Sequence, residues 1–352
     1  MRIQLHDRTI EVFTISPRTQ DLVLYWKNIR SVIRWSEQYD CTGALIFTGN
    51  DIYIDPWLVA HSAILESEKL CPLIAVNPIY MHPFSAAKMI SSFAYLYKRK
   101  VFLNLVTGTA LNYLSALGDK LEHDDRYDRL QEYVQIIMSL LAGSGLTSFA
   151  GKHYDVRGLQ LLPAVPDSLL PGLLLAGQSD ASRRVCNAVG AIGMQMLKPE
   201  LERAVDGVSG IHFGIVTRAT EDQAWQAAHA LFPEDELGRA ILDISMKNTD
   251  SAWKRQMKAA CDDELTANSN YWLEPFRAFK ADCPYFVGDY AQVSDLLVGL
   301  IRNGIEVFIL DVPASEEEFY HVDAAFRMAS GQLSYNSPES LGAFAEPLVR
   351  SI

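Results

Sequence analysis

The sequence predicts an α/β fold, specifically a (β/α)8 TIM barrel with insertions. Three observations carry that expectation. Short apolar segments occur at 11–16, 43–47, 71–76, 101–106, 172–175, 191–196, 211–217 and 306–310. They have the length of strands buried on both faces. Amphipathic stretches of helical length stand between most of them, which is the order of a parallel α/β protein. The strands number eight, which suggests a closed barrel.

The helices follow in order. A helix over 21–38 succeeds the first strand, and helices over 55–68 and 85–98 succeed the second and third. Asp55-Pro56 and Pro83 are start signals, because proline suits the first helical turn. The fourth strand leads into a helix over 124–141, with Asp124 or Asp125 near its N-cap. Further helices are expected at 181–189, 221–231, 293–302 and 316–330.

Three segments exceed a minimal barrel. Residues 146–171 read as a hairpin or loop followed by the proline-rich LLPAVPDSLLPG. Residues 233–263 read as helical. Residues 264–284 are irregular, polar and aromatic, with Trp272, Arg277 and Lys280, and are expected to form a lid. All 352 residues are read as one domain.

Composition narrows the function. Hydrophobic residues make up 49% and charged residues 21%, as in a globular protein with a large core. The net charge of −12 argues against nonspecific nucleic-acid binding, which needs excess Lys and Arg. The five cysteines are scattered without a CxxC pair, so reduced thiols in a cytoplasmic protein are expected. The N-terminus alternates like a strand and lacks the apolar core of a signal peptide, and no apolar run is long enough to span a membrane.

In a parallel barrel the chemistry sits at the carboxyl ends of the strands. Asn104, Thr107 and Gly108 follow the fourth strand. A carboxamide both donates and accepts hydrogen bonds, although these residues equally suit a simple strand end. His123, Asp124, Arg126 and Tyr127 cluster at a helix start. That cluster serves as a cap, as a cofactor-phosphate site, or as both, because the two roles use the same unpaired N–H groups. Gly177, Gln178 and Ser179 open the next helix, a turn that lets backbone amides approach an anion or simply caps the helix. Neither turn carries a full dinucleotide or P-loop fingerprint. The eight histidines show no HExxH spacing, and no GxSxG elbow occurs.

The pieces NLVTG, HDDRY, FAGKHYDVRG and AGQSDAS, followed by RATEDQAW and FVGD, stand in one order along the chain. In that order they resemble the bacterial luciferase-like flavin-dependent monooxygenases, nearest the alkanesulfonate monooxygenase branch, over residues 11–326. The resemblance implies a homodimer or homotetramer using reduced FMN (FMNH2) and O2. The flavin would be supplied by a separate NAD(P)H-dependent flavin reductase. It implies that Asn104, Thr107, His123, Tyr127, Gly177, Gln178 and Ser179 hold the flavin and its phosphate.

The departures concern the substrate. The family's Arg-x-His pair on the seventh strand is matched by His212 and Gly214, and its tryptophan after the sixth strand by Met196. A family histidine is matched by Thr19, an arginine by Asn77, and the late-loop arginine by Phe279, with Arg277 and Lys280 nearby. The final strand ends LDVPAS without the usual tyrosine. A sulfonate needs fixed positive donors. The expected substrate is therefore not a simple alkanesulfonate but a larger or more apolar organic molecule, such as a specialised-metabolite intermediate, free or carrier-bound. Met196, Gly214, Trp272, Arg277 and Phe279 are expected to face it, and His212 is the candidate for proton transfer, or else a satisfied core histidine. Two alternatives stand beside this reading. One is an oxidoreductase using deazaflavin F420, and the other is a flavin-binding protein of the same fold without catalysis.

Overall fold

A computed structural model describes residues 1–17, 21–108, 110–143, 145–200, 207–261 and 269–335. Its strands are β1 (Ile3–Gln4), β2 (Thr9–Ile15), β3 (Gly43–Ile46), β4 (Leu73–Val76), β5 (Phe102–Leu105), β6 (Thr147–Ala150), β7 (Asp155–Leu159), β8 (Gly172–Ala176), β9 (Ile192–Met196), β10 (Gly210–Arg218), β11 (Tyr271–Trp272), β12 (Tyr285–Asp289) and β13 (Val307–Asp311). Its helices are α1 (Leu22–Gln38), α2 (Pro56–Leu65), α3 (Pro83–Tyr97), α4 (Leu111–Ala116), α5 (His123–Leu141), α6 (Asp180–Val189), α7 (Glu221–Leu231), α8 (Glu236–Lys247), α9 (Ala252–Ala260), α10 (Glu274–Arg277), α11 (Tyr290–Arg302) and α12 (Glu316–Tyr335).

Strands β2, β3, β4, β5, β8, β9, β10 and β13 pair in parallel, and β13 closes the ring between β10 and β2. These are the eight strands the sequence predicts. Runs such as GALI, LIAV and VFILD are apolar at successive positions because both faces are covered. Phe13, Leu45, Leu73, Phe102, Leu174, Met194 and Ile309 fill the barrel. The rings of Phe13 and Phe102 meet edge-on at 4.9 Å across it. The barrel is thus a packed core, which leaves its rim for chemistry.

The helices start where short polar side chains take up unpaired N–H groups. Asp21 accepts from Val23 and Leu24, and Asp55 precedes Pro56. Asp289 and Gln292 form a reciprocal capping box on α11. One expected cap moves. The N-cap of α5 is Glu122, and Asp124 and Asp125 lie inside the first turn, where the helix dipole favours them.

The sheet has members beyond the eight. Strand β1 pairs antiparallel with β2, β12 runs parallel along the second half of β10, and β11 pairs antiparallel with β12. The 146–171 segment forms the β6–β7 hairpin and then lies against α3, where the Ser91 hydroxyl donates to the Pro163 carbonyl at 2.6 Å. The described part of 264–284 is anchored, with Tyr271, Leu273, Phe276 and Cys283 buried. Ion pairs Lys280–Asp235 (2.7 Å) and Arg239–Glu274 (2.8 Å) clamp it to α8. Residues 264–268 of the expected lid, residues 262–263 of the expected helical stretch, and Thr19 lie outside the described residues.

The hairpin hangs on one carboxylate. Glu132 of α5 accepts from the backbone N–H groups of Lys152, His153 and Tyr154 at 2.7, 2.8 and 3.0 Å. Glu132→Ala is expected to lower the unfolding free energy by roughly 2–3 kcal/mol, since hydrogen bonds to a charged group are the stronger kind. Urea titration checks the magnitude, and faster amide exchange at 152–154 locates the loss; unchanged exchange there would show that the turn holds itself.

Candidate active site

The loops after β5 and β8 and the start of α5 converge on the Tyr127 hydroxyl. The side chains of both Thr107 and Ser179 lie beside it. Burial pushes the phenol above its ordinary pKa, and these two neighbours partly offset that rise. Gly177 completes the cluster. A Cβ there would stand 2.7 Å from the Cβ of Ser182 and 2.9 Å from the Tyr127 hydroxyl, so only glycine allows this approach. The His123 ring lies 5.1 Å from that of Tyr127, and its Nδ1 is 2.6 Å from Asp124 Oδ1.

Ser179 is the N-cap of α6 and accepts from Ser182 N at 3.1 Å. Arg183 donates to the Gln178 carbonyl at 2.6 Å, which turns that peptide's carbonyl toward the guanidinium. Asn104 sits on the barrel's inner face, in register between Ala75 and Leu174. Nine-tenths of it is buried, and among the described residues its carboxamide has no hydrogen-bond partner.

A wall that was not expected covers this end. The link between α8 and α9 is tied to the loop after β5. Leu111 N donates to Asn248 O at 3.1 Å, Asn112 N donates to Asn248 Oδ1 at 3.0 Å, and Ala110 bridges Thr249. Asp250 then pairs with Arg126, whose side chain is only 3% exposed and also donates to the Leu121 carbonyl at 3.1 Å. Single-sequence reading places Arg126 correctly at the helix start, but its partner lies 124 residues away and no local pattern announces it.

The other expected residues divide. Met196 is in register with His212 on the neighbouring strand. His212 Nδ1 is 2.9 Å from the Ile309 carbonyl, which can only accept, so this nitrogen carries the hydrogen. Gly214 lies against the Tyr285 ring, where an added Cβ would come within 2.3 Å. Across that gap the Tyr285 hydroxyl hydrogen-bonds with Asp311 at the end of β13; burial first, and then this carboxylate, hold the phenol well above its ordinary pKa. Trp272 packs in an aromatic cluster with Trp225, His229 and Phe232 at 5.6–6.0 Å. Arg277 ends the short α10, and Phe279 is 41% exposed with a left-handed φ of 55°. Tyr285 and Asp311 escaped the sequence reading. The signal for Asp311 was its place at the end of the last strand.

Beside the ends of β8 and β9 lies a recess of about 160 Å3, walled by Met196, Leu197, Trp253, Met257 and Tyr271. Gln178 and Lys198 border it too. Among the described residues no cluster of His, Cys, Asp or Glu could hold a metal ion, and no helix is long and apolar enough to cross a membrane.

This rim on an eight-stranded parallel barrel defines a class of protein. A family model described as luciferase-like monooxygenase matches residues 12–306. A relative from Niallia circulans, the 4-(gamma-L-glutamylamino)butanoyl-[BtrI acyl-carrier protein] monooxygenase BtrO, is 31% identical over 310 residues, covering 84% of this chain and 89% of that one. Among solved structures, riboflavin lyase RcaE with modified FMN and riboflavin matches with a TM-score of 0.71 at 16% identity, covering 94% and 96% of the two chains. The EDTA monooxygenase EmoA from Chelativorans sp. BNC1 matches with a TM-score of 0.65 at 15% identity, covering 98% and 97%. Other solved neighbours include an FMN complex and an F420-dependent dehydrogenase. The chain belongs to the luciferase-like monooxygenase family.

The clasp at the Tyr127 end has a testable energy. Asp250→Ala leaves the buried Arg126 guanidinium without its carboxylate. The expected loss is about 3 kcal/mol, the low end for breaking a buried pair, because Asp250 is itself 21% exposed. Chemical denaturation measures it, and a loss below ~1 kcal/mol, the range of surface pairs, would mean that water already screens the pair.

Proposed function

We propose that the protein is an FMNH2-dependent monooxygenase that uses O2 to oxidise an acyl group carried as a thioester on a carrier protein. A separate NAD(P)H-dependent reductase would deliver the reduced flavin. The observation that carries this reading is the convergence of Thr107, Tyr127, Gly177 and Ser179 at one point of the barrel mouth, in a chain 31% identical to a relative named for a carrier-bound substrate.

The residues present fit a flavin. The hydroxyls of Tyr127, Thr107 and Ser179 and the amides that open α6 suit a phosphate, since a helix N-terminus favours an anion. His123 and Gln178 would flank it. Asn104, nine-tenths buried and unpartnered among the described residues, offers a donor and an acceptor to a ring edge. When bound, reduced flavin supplies the electrons that activate O2, and the protein's part is orientation and exclusion of water.

His212 would be the residue that moves a proton. Its Nδ1–H donates to the Ile309 carbonyl, which fixes the plane of the ring, and Nε2 is the nitrogen proposed to take the proton. Met196, Gly214, Arg277 and Phe279 would bound the substrate. Asn77 and Phe279 stand where the sulfonate branch has arginines, which disfavours a simple alkanesulfonate. A homodimer or homotetramer in the cytoplasm is the proposed assembly. It is supported by exposed Leu58 and Leu65 on α2 and Tyr95 and Leu96 on α3. A second reading, hydride transfer with F420, draws on the F420-dependent neighbours of the same fold.

Anaerobic titration with reduced FMN and with F420 separates the two readings; binding of F420 alone would sink the first. Supplying 18O2 to the FMNH2-loaded protein should place one labelled oxygen in a carrier-bound acyl substrate and none in the free acid. Tyr127→Phe is expected to weaken reduced-FMN binding about tenfold, the worth of one hydrogen bond to a charged group. His212→Gln should lower kcat by about 10²–10⁴ with the flavin affinity unchanged. An unaltered kcat would remove His212 from proton transfer.

A further inference from the structure

We propose that the recess beside β9 receives the phosphopantetheine arm of the carrier protein, with Lys198 taking the arm's phosphate. This rests on the carrier-bound reading above and identifies where the carrier is recognised. The arm is a slender chain with a thioester at its inner end, two amides and a dimethyl group along its length, and a phosphate at its outer end. Such a ligand calls for a narrow apolar channel, a few polar side chains, and a cation at the entrance.

The recess offers apolar walls, polar side chains and a cation. Its volume of about 160 Å3 is below the roughly 300–1,000 Å3 of typical small-molecule sites, so it would hold a segment of the arm rather than the whole of it. One wall is α9, whose residues Trp253, Gln256, Met257 and Ala260 line it at i, i+3, i+4 and i+7, a single helical face. Met196, Leu197 and Tyr271 line it as well. The Gln256 carboxamide both donates and accepts, which matches an amide of the arm.

Lys198 supplies the charge. It is half-buried at the recess, and among the described residues its ammonium has neither a carboxylate nor a carbonyl partner. With no anion beside it among the described residues, this half-buried ammonium would gain a charge-assisted hydrogen bond from an incoming phosphate. Glu200, at the same rim, is exposed, and water and salt screen it. The direction is consistent too. Lys198 lies two residues beyond Met196, and Met196 is in register with His212. An arm entering past Lys198 would bring its thioester toward His212.

Calorimetry on the protein loaded with reduced FMN under anaerobic conditions tests this with two probes, 4′-phosphopantetheine and pantetheine. The phosphorylated probe is expected to bind about tenfold tighter, the worth of one charge-assisted hydrogen bond. Lys198→Ala should erase that ratio and Lys198→Arg should restore it, with reduced-FMN affinity constant throughout. Met257→Trp, which fills the recess, should weaken both probes. Equal binding of the two probes, no binding of either, or a joint loss of FMN and probe binding in Met257→Trp overturns the proposal; the last would assign the recess to the flavin. Failure of the carrier reading itself has a separate signature, equal turnover of free and carrier-bound acyl substrates by the wild-type protein. If the carrier-bound form is required and Lys198→Ala leaves its KM unchanged, the recess proposal alone falls.

Discussion

Closure of the parallel sheet by β13 is the constraint on which everything else depends. β13 pairs with β10 on one side and β2 on the other, with Ile309 in register with both His212 and Phe13. Without that strand the sheet would have two open edges and an uncovered inner face. With it, Phe13, Phe102, Leu174 and Met194 fill the interior, and the carboxyl ends of the eight strands share one rim. Residues far apart in sequence, such as Thr107, Tyr127 and Ser179, then become neighbours because their strands and helices end at the same place.

The rim has two ends of different character. At one end, hydroxyls and helix-start amides gather around Tyr127, and the Arg126–Asp250 pair fastens the inserted helices over them. At the other end, the absence of a side chain at Gly214 admits the Tyr285 ring, whose hydroxyl reaches Asp311. That end of the rim therefore carries a phenol beside a carboxylate. The hydroxyls and helix-start amides thus gather at the Tyr127 end, and the buried phenol–carboxylate pair stands at the other. A shared scaffold with different side chains along its rim is the pattern expected when function resides in a site rather than in a fold.

The scaffold was legible because its signals are local. Runs such as LIAV and VFILD announce buried strands, Asp55-Pro56 and Pro83 announce helix starts, and the alternation of the two announces a parallel barrel. The misses are equally physical. The five-residue strand β12 follows an irregular segment, and its partner, the second half of β10, lies 71 residues earlier. The α5 cap fell on Glu122 because several acidic residues compete at that helix start and only the three-dimensional path of the chain selects one. Apart from these misses, Trp272, expected to face the substrate, packs its half-buried ring among Trp225, His229 and Phe232. An aromatic side chain buries against the nearest apolar surface, and nothing in a single sequence says which surface that is.

By itself the sequence determined the α/β class, the eight barrel strands, the helices between them and the polar groups that end the strands, since each follows from periodicity and capping within a dozen residues. Only the tertiary structure decided which of those groups meet. It joined Tyr127 to Thr107 and Ser179, tied Asp250 to Arg126, laid Tyr285 across Gly214 and opened the recess between α9 and β9. Such contacts depend on strand register and barrel closure, which are cooperative properties of the whole sheet and leave no local trace in the chain.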